Sequence, residues 1–354
     1  MIKCYPSYYK NFKCIADRCH NNCCAAGWEI DIDEESIKYY KSVSGVLGDK
    51  LHKGIEITPP SHFILKPDGR CPFLNSKNLC DIYINLGEEH LCQICSEHPR
   101  FYQCFNDVIE CGLGLYCEEA ARIILSESTP FYTYKVETNT FVHCKYNKEL
   151  YSYLRIARAK IFKYLSDTSI DIFSRIKDIV WYAHTLQQNI DFNMMDNEEI
   201  FSVTNYSKSD ISFIFDFLRT LIPNDQNWPN YLKDCKQIIK ENQNEFSKFI
   251  VETHELEKYL ENISTYFIYR YFLDAVYDED ALSKVKFMAI SVAALHSMFF
   301  CKWLEKNSLS LTDCIFIVQK FSEEIECNDD NILKIYNSTY ELNEFSTEKI
   351  LGLF

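Results

Sequence analysis

Seventeen cysteines occur in this chain of 354 residues, and their uneven spacing is the first sign of chemistry. The stretch "FKCIADRCHNNCCAAGW" contains Cys14, Cys19, Cys23 and Cys24. Two later segments, "RCPFLNSKNLCDIYINLGEEHLCQICSEHPRFYQC" and "ECGLGLYCEE", contain Cys71, Cys80, Cys92, Cys95, Cys104, Cys111 and Cys117. In a reducing cytosol, clustered thiols are typical of metal binding or redox work rather than of structural disulfides.

The spacing suits a four-thiolate site. Such a site needs ligands that converge from a short rigid turn and from a distant segment. Two cysteines three or four residues apart, completed by a Cys-Pro loop much later in the chain, meet this requirement. Because adjacent side chains diverge, we expect Cys23 and Cys24 not to bind one ion from the same side. One of them then serves a second site or packs as a small apolar residue.

Zinc and an iron–sulfur cluster are both compatible with these thiols. A structural zinc ribbon usually has two Cys-x2-Cys pairs, whereas here Cys92 and Cys95 form a single one. Irregular spacing beside aromatic residues such as Trp28 favours a cluster somewhat, because apolar shielding tunes its potential. The Cys-x3-Cys-x2-Cys loop of radical S-adenosylmethionine enzymes is absent, since Ala26 stands at its third position.

Composition narrows the classes of partner and location. The formal net charge is −14, and such a surface repels phosphate backbones, so we expect no nucleic-acid partner. It suits a basic partner, although acidity also serves solubility alone. The N-terminus lacks the apolar core of a secretory signal. The most apolar stretch, 287–301, is too short and too polar to span a bilayer, so we predict a buried core helix, no membrane insertion and a cytoplasmic protein.

Two regions differ in their turn residues, and together they predict a mainly α fold. Eight of nine glycines and seven of nine prolines lie at or before Pro130. We therefore predict a loop-rich, cysteine-rich metal or iron–sulfur region over 1–130, with short helices at "DIDEESIKYYKSV" and "CEEAARIIL". Apolar residues at helical spacing predict an all-helical array over 131–354, without a parallel sheet and with a long helix over 282–304.

The cysteine segments resemble one known family. "FKCIADRCHNNCCAAGW", "CPFLNSKNLCDIYINLGEEHLCQICSEHPR" and "YCEEAARIIL" are similar to the flagellin lysine-N-methylase (FliB-like) family, which carries a zinc- or iron-chelating cysteine domain. Glu118 stands where that family typically has a proline. The resemblance implies a protein lysine N-methyltransferase that uses S-adenosylmethionine and carries an iron–sulfur cluster, for which we expect the 4Fe-4S type.

We divide the cysteines by these patterns. Metal or cluster ligands are predicted at Cys14, Cys19, Cys23, Cys24, Cys71, Cys80, Cys95 and Cys117. Packing is favoured for Cys92, Cys104 and Cys111, since buried free cysteine is common. The last four, Cys235, Cys301, Cys314 and Cys327, lie in helical apolar patterns and are predicted to be core residues. His20 and His98 stand beside cysteine motifs, where hydrogen bonding is favoured over ligation.

Two arginines are the candidates for binding the cofactor. Arg270 lies among tyrosines on a predicted helix, where it could hold the methionyl carboxylate, and Arg100 could bind a carboxylate bidentately. An ion pair within the protein is the alternative for both. No glycine-rich Rossmann fingerprint occurs, so a cofactor would bind by another arrangement. Tyrosine faces favour sulfonium and ammonium groups, but no catalytic base is identified by the sequence.

Three functions follow from these observations. The first is lysine N-methylation of a protein with exposed lysines, such as flagellin or another surface protein. The second is a non-enzymatic iron- or zinc-chelating module that binds proteins through its helical part. The third is a thiol redox sensor in which Cys92 and Cys95 form a reversible pair.

Overall fold

The computed structural model describes residues 2–105, 107–126, 133–137, 146–195, 199–204 and 206–354. They form two compact units. The thiol-rich unit contains 11–101 and 117–120, and the helical unit contains the described parts of 1–10, 102–116 and 121–354. The predicted boundary between residues 130 and 131 falls outside the described residues, as does Cys144.

Helices dominate the chain, as the sequence predicts. The helices are α1 Glu34–Ser42, α2 Gly45–Gly54, α3 Asp81–Leu86, α4 Gln93–Glu97, α5 Glu118–Ser126, α6 Lys148–Leu165, α7 Ile172–Asp191, α8 Ser212–Leu218, α9 Trp228–Glu241, α10 Phe246–Glu252, α11 Leu256–Tyr271, α12 Ala275–Asp278, α13 Ala281–Lys306, α14 Leu311–Ile325, α15 Asp329–Glu341 and α16 Thr347–Leu351. The strands are β1 Ile2–Pro6, β2 Ile55–Glu56, β3 His62–Phe63, β4 Arg100–Phe105, β5 Val108–Leu113 and β6 Thr133–Glu137.

The core of the helical unit is built around α13. This helix packs against α7, α9, α11, α14 and α15. By length and composition α13 is the one helix among the described residues that could cross a membrane, but 89% of its most apolar window is buried inside the protein. The prediction of a buried core helix is therefore confirmed, and the burial is typical of a soluble protein.

A mixed four-stranded sheet in the order β4-β5-β1-β6 accompanies these helices. Strand β1 pairs with β5 in parallel and with β6 antiparallel. Cys4 of β1 is the partner of Glu110 on one side and of Lys135 on the other. The sequence analysis did not predict this sheet, whose strands come from distant parts of the chain.

The thiol-rich unit has short elements and long connections. Helix α1 begins where the Asp33 carboxylate accepts a hydrogen bond from the Ser36 amide, at 2.9 Å. The same carboxylate accepts from the amide of Gln93, at 2.8 Å, and so fixes the start of α4 against the start of α1. A small apolar core forms here around Tyr40, Leu51 and Phe73, each almost fully buried. The two short helices predicted in the N-terminal region are confirmed as α1 and α5.

One prediction about packing is wrong. Cys327 is exposed rather than part of the core, whereas Cys235, Cys301 and Cys314 are buried as predicted. The reason is that α14 ends at Ile325, so Cys327 lies beyond the helical repeat from which its position was inferred.

Candidate metal centre

Four of the predicted ligands form a first thiol group, which consists of Cys14, Cys19, Cys23 and Cys117. Burial raises the pKa of the Cys117 thiol to about 11, and the neighbouring Cys14 contributes to the shift. Burial raises the pKa of Cys19 as well, with further contributions from Glu118 and Cys117. Since charges act on one another strongly only at short range, these mutual effects place the thiols in one neighbourhood.

A second thiol group consists of Cys24, Cys71, Cys80, Cys92 and Cys95, in contact with the small apolar core. The backbone brings its segments together, because the Cys71 amide donates to the Cys24 carbonyl, at 2.8 Å. Burial raises the pKa of Cys71 to about 11, with Cys24 and Cys80 adding to the shift. The hydrogen bond that the Cys95 thiol donates to the Cys92 sulfur, burial and the nearby Cys24 and Cys71 raise the pKa of Cys95.

Backbone amides donate to several of these sulfur atoms. The Cys80 thiol accepts from the amides of Tyr83 and Ile82 in the first turn of α3. The Cys117 sulfur likewise accepts from the amides of Ala120 and Glu119 in the first turn of α5. Such bonds favour the thiolate form and lower the thiol pKa, against the larger effect of burial. They are the interactions that orient thiolate ligands around a metal.

Cys23 and Cys24 lie in one 3₁₀ turn, Cys23–Ala25, which begins where Asn22 accepts a hydrogen bond from the Cys24 amide. A side-chain interaction between the two thiols raises the pKa of Cys23 and lowers that of Cys24. The expectation that they do not bind one ion from the same side stays a prediction. The tight turn keeps them close. Their further thiol neighbours nevertheless differ: Cys23 interacts with Cys14 and Cys117, whereas Cys24 affects Cys71, Cys80 and Cys95.

Glu118 organises the loop that carries Cys19, a role that the cysteine spacing did not reveal. Its carboxylate accepts hydrogen bonds from the amides of His20, at 2.6 Å, and Asn21, at 3.0 Å. The Cys19 thiol lies 3.4 Å from the same carboxylate. His20 places Nδ1 2.8 Å from the other carboxylate oxygen, in agreement with the expectation that this histidine forms hydrogen bonds.

Thiolates are the usual ligands of both structural zinc and iron–sulfur clusters, so the donor chemistry of the two groups fits either one. The geometry is less complete. Within the part of the chain that the structure describes, no three histidine, cysteine or acidic side chains converge on one point as they do around a bound metal ion. The thiols of each group are thus neighbours, but their sulfur atoms do not surround a common point as metal ligands do.

Cys92, for which packing was favoured, lies in the second thiol group. It is almost fully buried and shares a hydrogen bond with Cys95 one helical turn later. This burial agrees with packing, and the Cys-x2-Cys spacing is the signal in the sequence that places Cys92 beside Cys95. Cys111 is elsewhere, in β5 of the helical unit, where its thiol lies 3.3 Å from the Cys4 carbonyl.

Arg270 is held inside the helical unit by groups of the protein. Its guanidinium lies 3.3 Å from the fully buried carboxylate of Glu326 and 2.5 Å from the Tyr266 hydroxyl. The rings of Tyr116 and Tyr271 also lie beside it. Tyr271 donates to Glu326 as well, at 2.6 Å. Of the two readings, this environment favours the ion pair within the protein.

Arg100 belongs to the thiol-rich unit, at the first residue of β4. Its guanidinium lies over the Phe12 ring, 5.3 Å from the centroid, and 3.3 Å from the Ser96 carbonyl. The side chain is half-buried. Binding of a carboxylate ligand by Arg100 stays a prediction.

Comparison with known sequences adds evidence from the helical unit. Residues 158–353 match the family described as the FliB lysine N-methylase C-terminal domain. The match begins inside α6, after the cysteine segments on which the sequence resemblance rested. No solved structure matches the chain.

Individual proteins that match this chain share a low sequence identity with it. The "Flagellar biosynthetic protein FliU" of Salmonella muenchen is 28% identical over 135 residues, which cover 34% of this chain and 76% of that protein. The "Lysine-N-methylase" of Salmonella choleraesuis and that of Salmonella typhimurium are also 28% identical over 135 residues. These alignments span 34% of this chain but only 32% of each methylase.

The family match covers more than half of the 354 residues and includes almost every helix of the C-terminal array. It agrees with the resemblance seen independently in the cysteine segments of the N-terminal region. The chain belongs to the FliB lysine N-methylase family.

Proposed function

We propose that this protein is an S-adenosylmethionine-dependent lysine N-methyltransferase that acts on flagellin or a similar surface protein in the cytoplasm. The observation that carries the proposal is the match of residues 158–353 to the C-terminal domain of a lysine N-methylase family. Two relatives bear the name lysine-N-methylase and a third is named as a flagellar biosynthetic protein. The net charge of −14 suits a substrate that presents lysines.

A metal group in the thiol-rich unit is part of the proposal. Cys14, Cys19, Cys23 and Cys117 would hold it in the first thiol group, and Cys24, Cys71, Cys80 and Cys95 in the second. An iron–sulfur cluster, of 4Fe-4S type, is favoured over zinc because the spacing is irregular and the surroundings of the second group are apolar. When bound, such a group supplies a positive centre that stabilises the thiolate form of buried cysteines.

Methyl transfer makes few demands on the protein's own residues. The lysine amine must lose its proton, which a dry site or a neighbouring acceptor assists, and must lie in line behind the sulfonium methyl group. Aromatic faces stabilise the sulfonium and the ammonium by cation–π attraction. The cluster of Tyr116, Tyr266 and Tyr271 around Arg270 shows that this chain does place tyrosines around a cation.

The test of activity combines the purified protein, S-adenosylmethionine and a flagellin encoded beside it. We expect mass increments of one methyl group on lysines, located by peptide mass spectrometry. Intact, metal-loaded protein that neither binds the cofactor nor methylates any candidate would favour the alternative, a metal-chelating protein-binding module. That alternative is supported by the lack of a glycine-rich nucleotide motif in the chain.

The test of the metal is separate. Protein purified without oxygen should be brown and should contain iron and acid-labile sulfide. Colourless protein with stoichiometric zinc would exclude the cluster and leave the thiolate site standing. A redox sensor instead predicts that mild oxidation joins Cys92 and Cys95 reversibly, which peptide mapping detects.

A further inference from the structure

A polar pocket of about 200 Å³ lies in the helical unit, between the sheet and α6. Alternate residues of each strand face one side of a sheet, and Cys4, Glu110 and Lys135 are register partners across β1, β5 and β6. On α6, Tyr151 and Arg158 are spaced by seven residues and so lie on one helix face. The pocket is therefore assembled from four elements, and no sequence motif marks it.

The floor of this pocket is a buried ion pair. Arg158 donates to both carboxylate oxygens of Glu110, at 2.7 and 2.6 Å. The two residues are only 6% and 3% exposed. Bidentate geometry is the strongest form of this interaction, and each charge neutralises the other. The pair thus provides a rigid polar surface and leaves the net charge of the pocket to its other residues.

Tyr151 supplies the observation that points to a ligand. Its side chain lines the pocket and is only 6% exposed. Its hydroxyl has no hydrogen-bond partner among the described residues. Leaving a buried polar group unpaired is unfavourable, because the group loses its hydrogen bonds to water and gains none in the protein. The ring is fixed by stacking on Phe105, 5.1 Å away, and by the Arg155 guanidinium above it. A ligand oxygen in the pocket would remove this cost.

Charges at the pocket select the ligand. Because the charges of Glu110 and Arg158 neutralise each other, the charged groups that remain at the pocket are the cations Lys135 and Arg155 and the anion Asp107. Two cations beside one anion complement a carboxylate that carries a neighbouring ammonium group. This local excess of positive charge is unusual in a chain with a net charge of −14. The volume suits an amino-acid-sized group rather than a whole nucleotide.

We propose that this pocket binds the α-amino carboxylate group of a small molecule, with Arg155 and the Tyr151 hydroxyl holding the carboxylate and Asp107 holding the ammonium. Two sources share this chemistry, a free amino acid such as methionine and the methionyl end of S-adenosylmethionine. The second source rests on the proposed function. In that case the methionyl end occupies the pocket and the nucleoside lies outside it.

Calorimetric titration of the purified full chain with L-methionine and, separately, with S-adenosylhomocysteine tests the proposal. We expect at least one of them to bind. The variant Arg155→Gln should weaken that binding by roughly tenfold or more, and Tyr151→Phe by roughly threefold to tenfold, the range for one hydrogen bond. The matched control Lys163→Gln removes a positive charge from an exposed position of α6 and should change the affinity less than twofold.

A second readout protects against variants that misfold. Because Tyr151→Phe keeps the stacked ring and removes the unpaired hydroxyl, we expect its unfolding midpoint without ligand to equal or exceed that of the wild type. Its ligand-induced rise in midpoint should be smaller. Failure of both probes to bind the wild type overturns the proposal, as does equal weakening in Lys163→Gln.

The two probes separate this inference from the proposed function. If methionine binds in a manner that depends on Arg155 and S-adenosylhomocysteine does not bind, the pocket is supported and the sulfonium cofactor is contradicted. If S-adenosylhomocysteine binds with equal affinity to the wild type and both pocket variants, the pocket is contradicted and the methyltransferase stands.

Discussion

Cysteine has different surroundings in the two units of this protein. In the thiol-rich unit, nine cysteines interact with one another, and short elements surround a small apolar core. In the helical unit, Cys235, Cys301 and Cys314 are buried in helices, and the only thiol neighbours among these three are Cys235 and Cys301. Cys314, for example, lies in α14 with its pKa raised to about 12 by burial and nearby acidic groups. There it packs as a small apolar residue.

The difference teaches that the environment decides what a thiol does. A unit with a large apolar core is stable through burial alone. A loop-rich unit with a small core needs a further source of stability, and the metal that we propose there would supply it. Cysteine would then stabilise the two units by different means, which the following variants test.

Loss of a predicted ligand should have the largest effect. We expect Cys71→Ser and Cys80→Ser to lose the bound metal and to unfold the thiol-rich unit, because apparent metal-binding free energies of small sites reach ~10 kcal/mol. The control Cys314→Ala should keep the metal and cost only about 1 kcal/mol. Metal analysis with near-ultraviolet circular dichroism measures both. Equal metal loss in the control would show that the thiol groups are drawn wrongly.

Breaking a buried ion pair should have the second-largest effect on stability, and this effect should be confined to the helical unit. Arg270→Leu leaves the fully buried Glu326 without its cation and should lower the free energy of unfolding by about 3 kcal/mol. The control Arg219→Leu removes a surface partner of Asp216, at 3.7 Å, and should cost less than about 1 kcal/mol. Denaturant unfolding gives both values, and metal content should not change. Undiminished stability with lost cofactor binding would instead support the carboxylate-binding role of Arg270.

The features that depend on local sequence pattern could be predicted from the sequence alone. Helical periodicity predicted the segment that became α13, and an acidic start followed by spaced apolar residues predicted α1. The eight proposed ligands all lie in the two thiol groups, and their role as metal ligands stays a prediction. The division between these groups could not be predicted, since Cys23 and Cys24 are adjacent in sequence and their distinct neighbours are fixed by contacts with Cys117 and Cys71.

Features assembled from distant segments were missed. Strand β1 pairs in parallel with β5, about one hundred residues later, and a short strand alone carries little signal. The pocket beside Tyr151 requires that pairing to exist. Glu118 was noted only as a replacement for proline, yet it is the acceptor that fixes the loop of Cys19. A position at the start of α5 allows either residue, because proline is also favoured in the first turn of a helix.

Acid should lower the free energy of unfolding of the helical unit through protonation of His296. The size of this loss should be intermediate among the predicted effects. Burial lowers the pKa of this histidine to about 4. It lies among Phe173, Phe246 and Phe249, with ring centroids 4.9, 5.4 and 5.3 Å away. Since the unfolded chain binds the proton at the ordinary pKa of about 6.5, stability falls as pH drops from about 6.5 to about 4, by up to about 3 kcal/mol.

The variant His296→Leu should remove this part of the pH dependence, whereas His254→Gln, at an exposed position, should leave the profile of the wild type. Unfolding titrations across the same range measure it. Metal content recorded in parallel separates this loss from release of metal by protonated thiols in the other unit. An unchanged slope in His296→Leu would contradict the buried neutral histidine.

Replacement of Glu118 should have the smallest effect on stability. Unlike the basic His296 of the helical unit, Glu118 is an acidic group and lies in the thiol-rich unit. Burial opposes its ionisation, but hydrogen bonds from His20, Asn21 and Cys19 lower its pKa below the usual value. A lowered carboxyl pKa gives stability that is present above the unfolded value of about 4.5 and is lost as pH falls through the folded value. Glu118→Gln should therefore be slightly less stable than the wild type at about pH 7, and the difference should vanish in acid below the folded pKa. The control Glu35→Gln, exposed in α1, should show a smaller difference at both. A difference that persists in acid would mean that the amide-accepting oxygen, rather than its charge, holds the loop of Cys19.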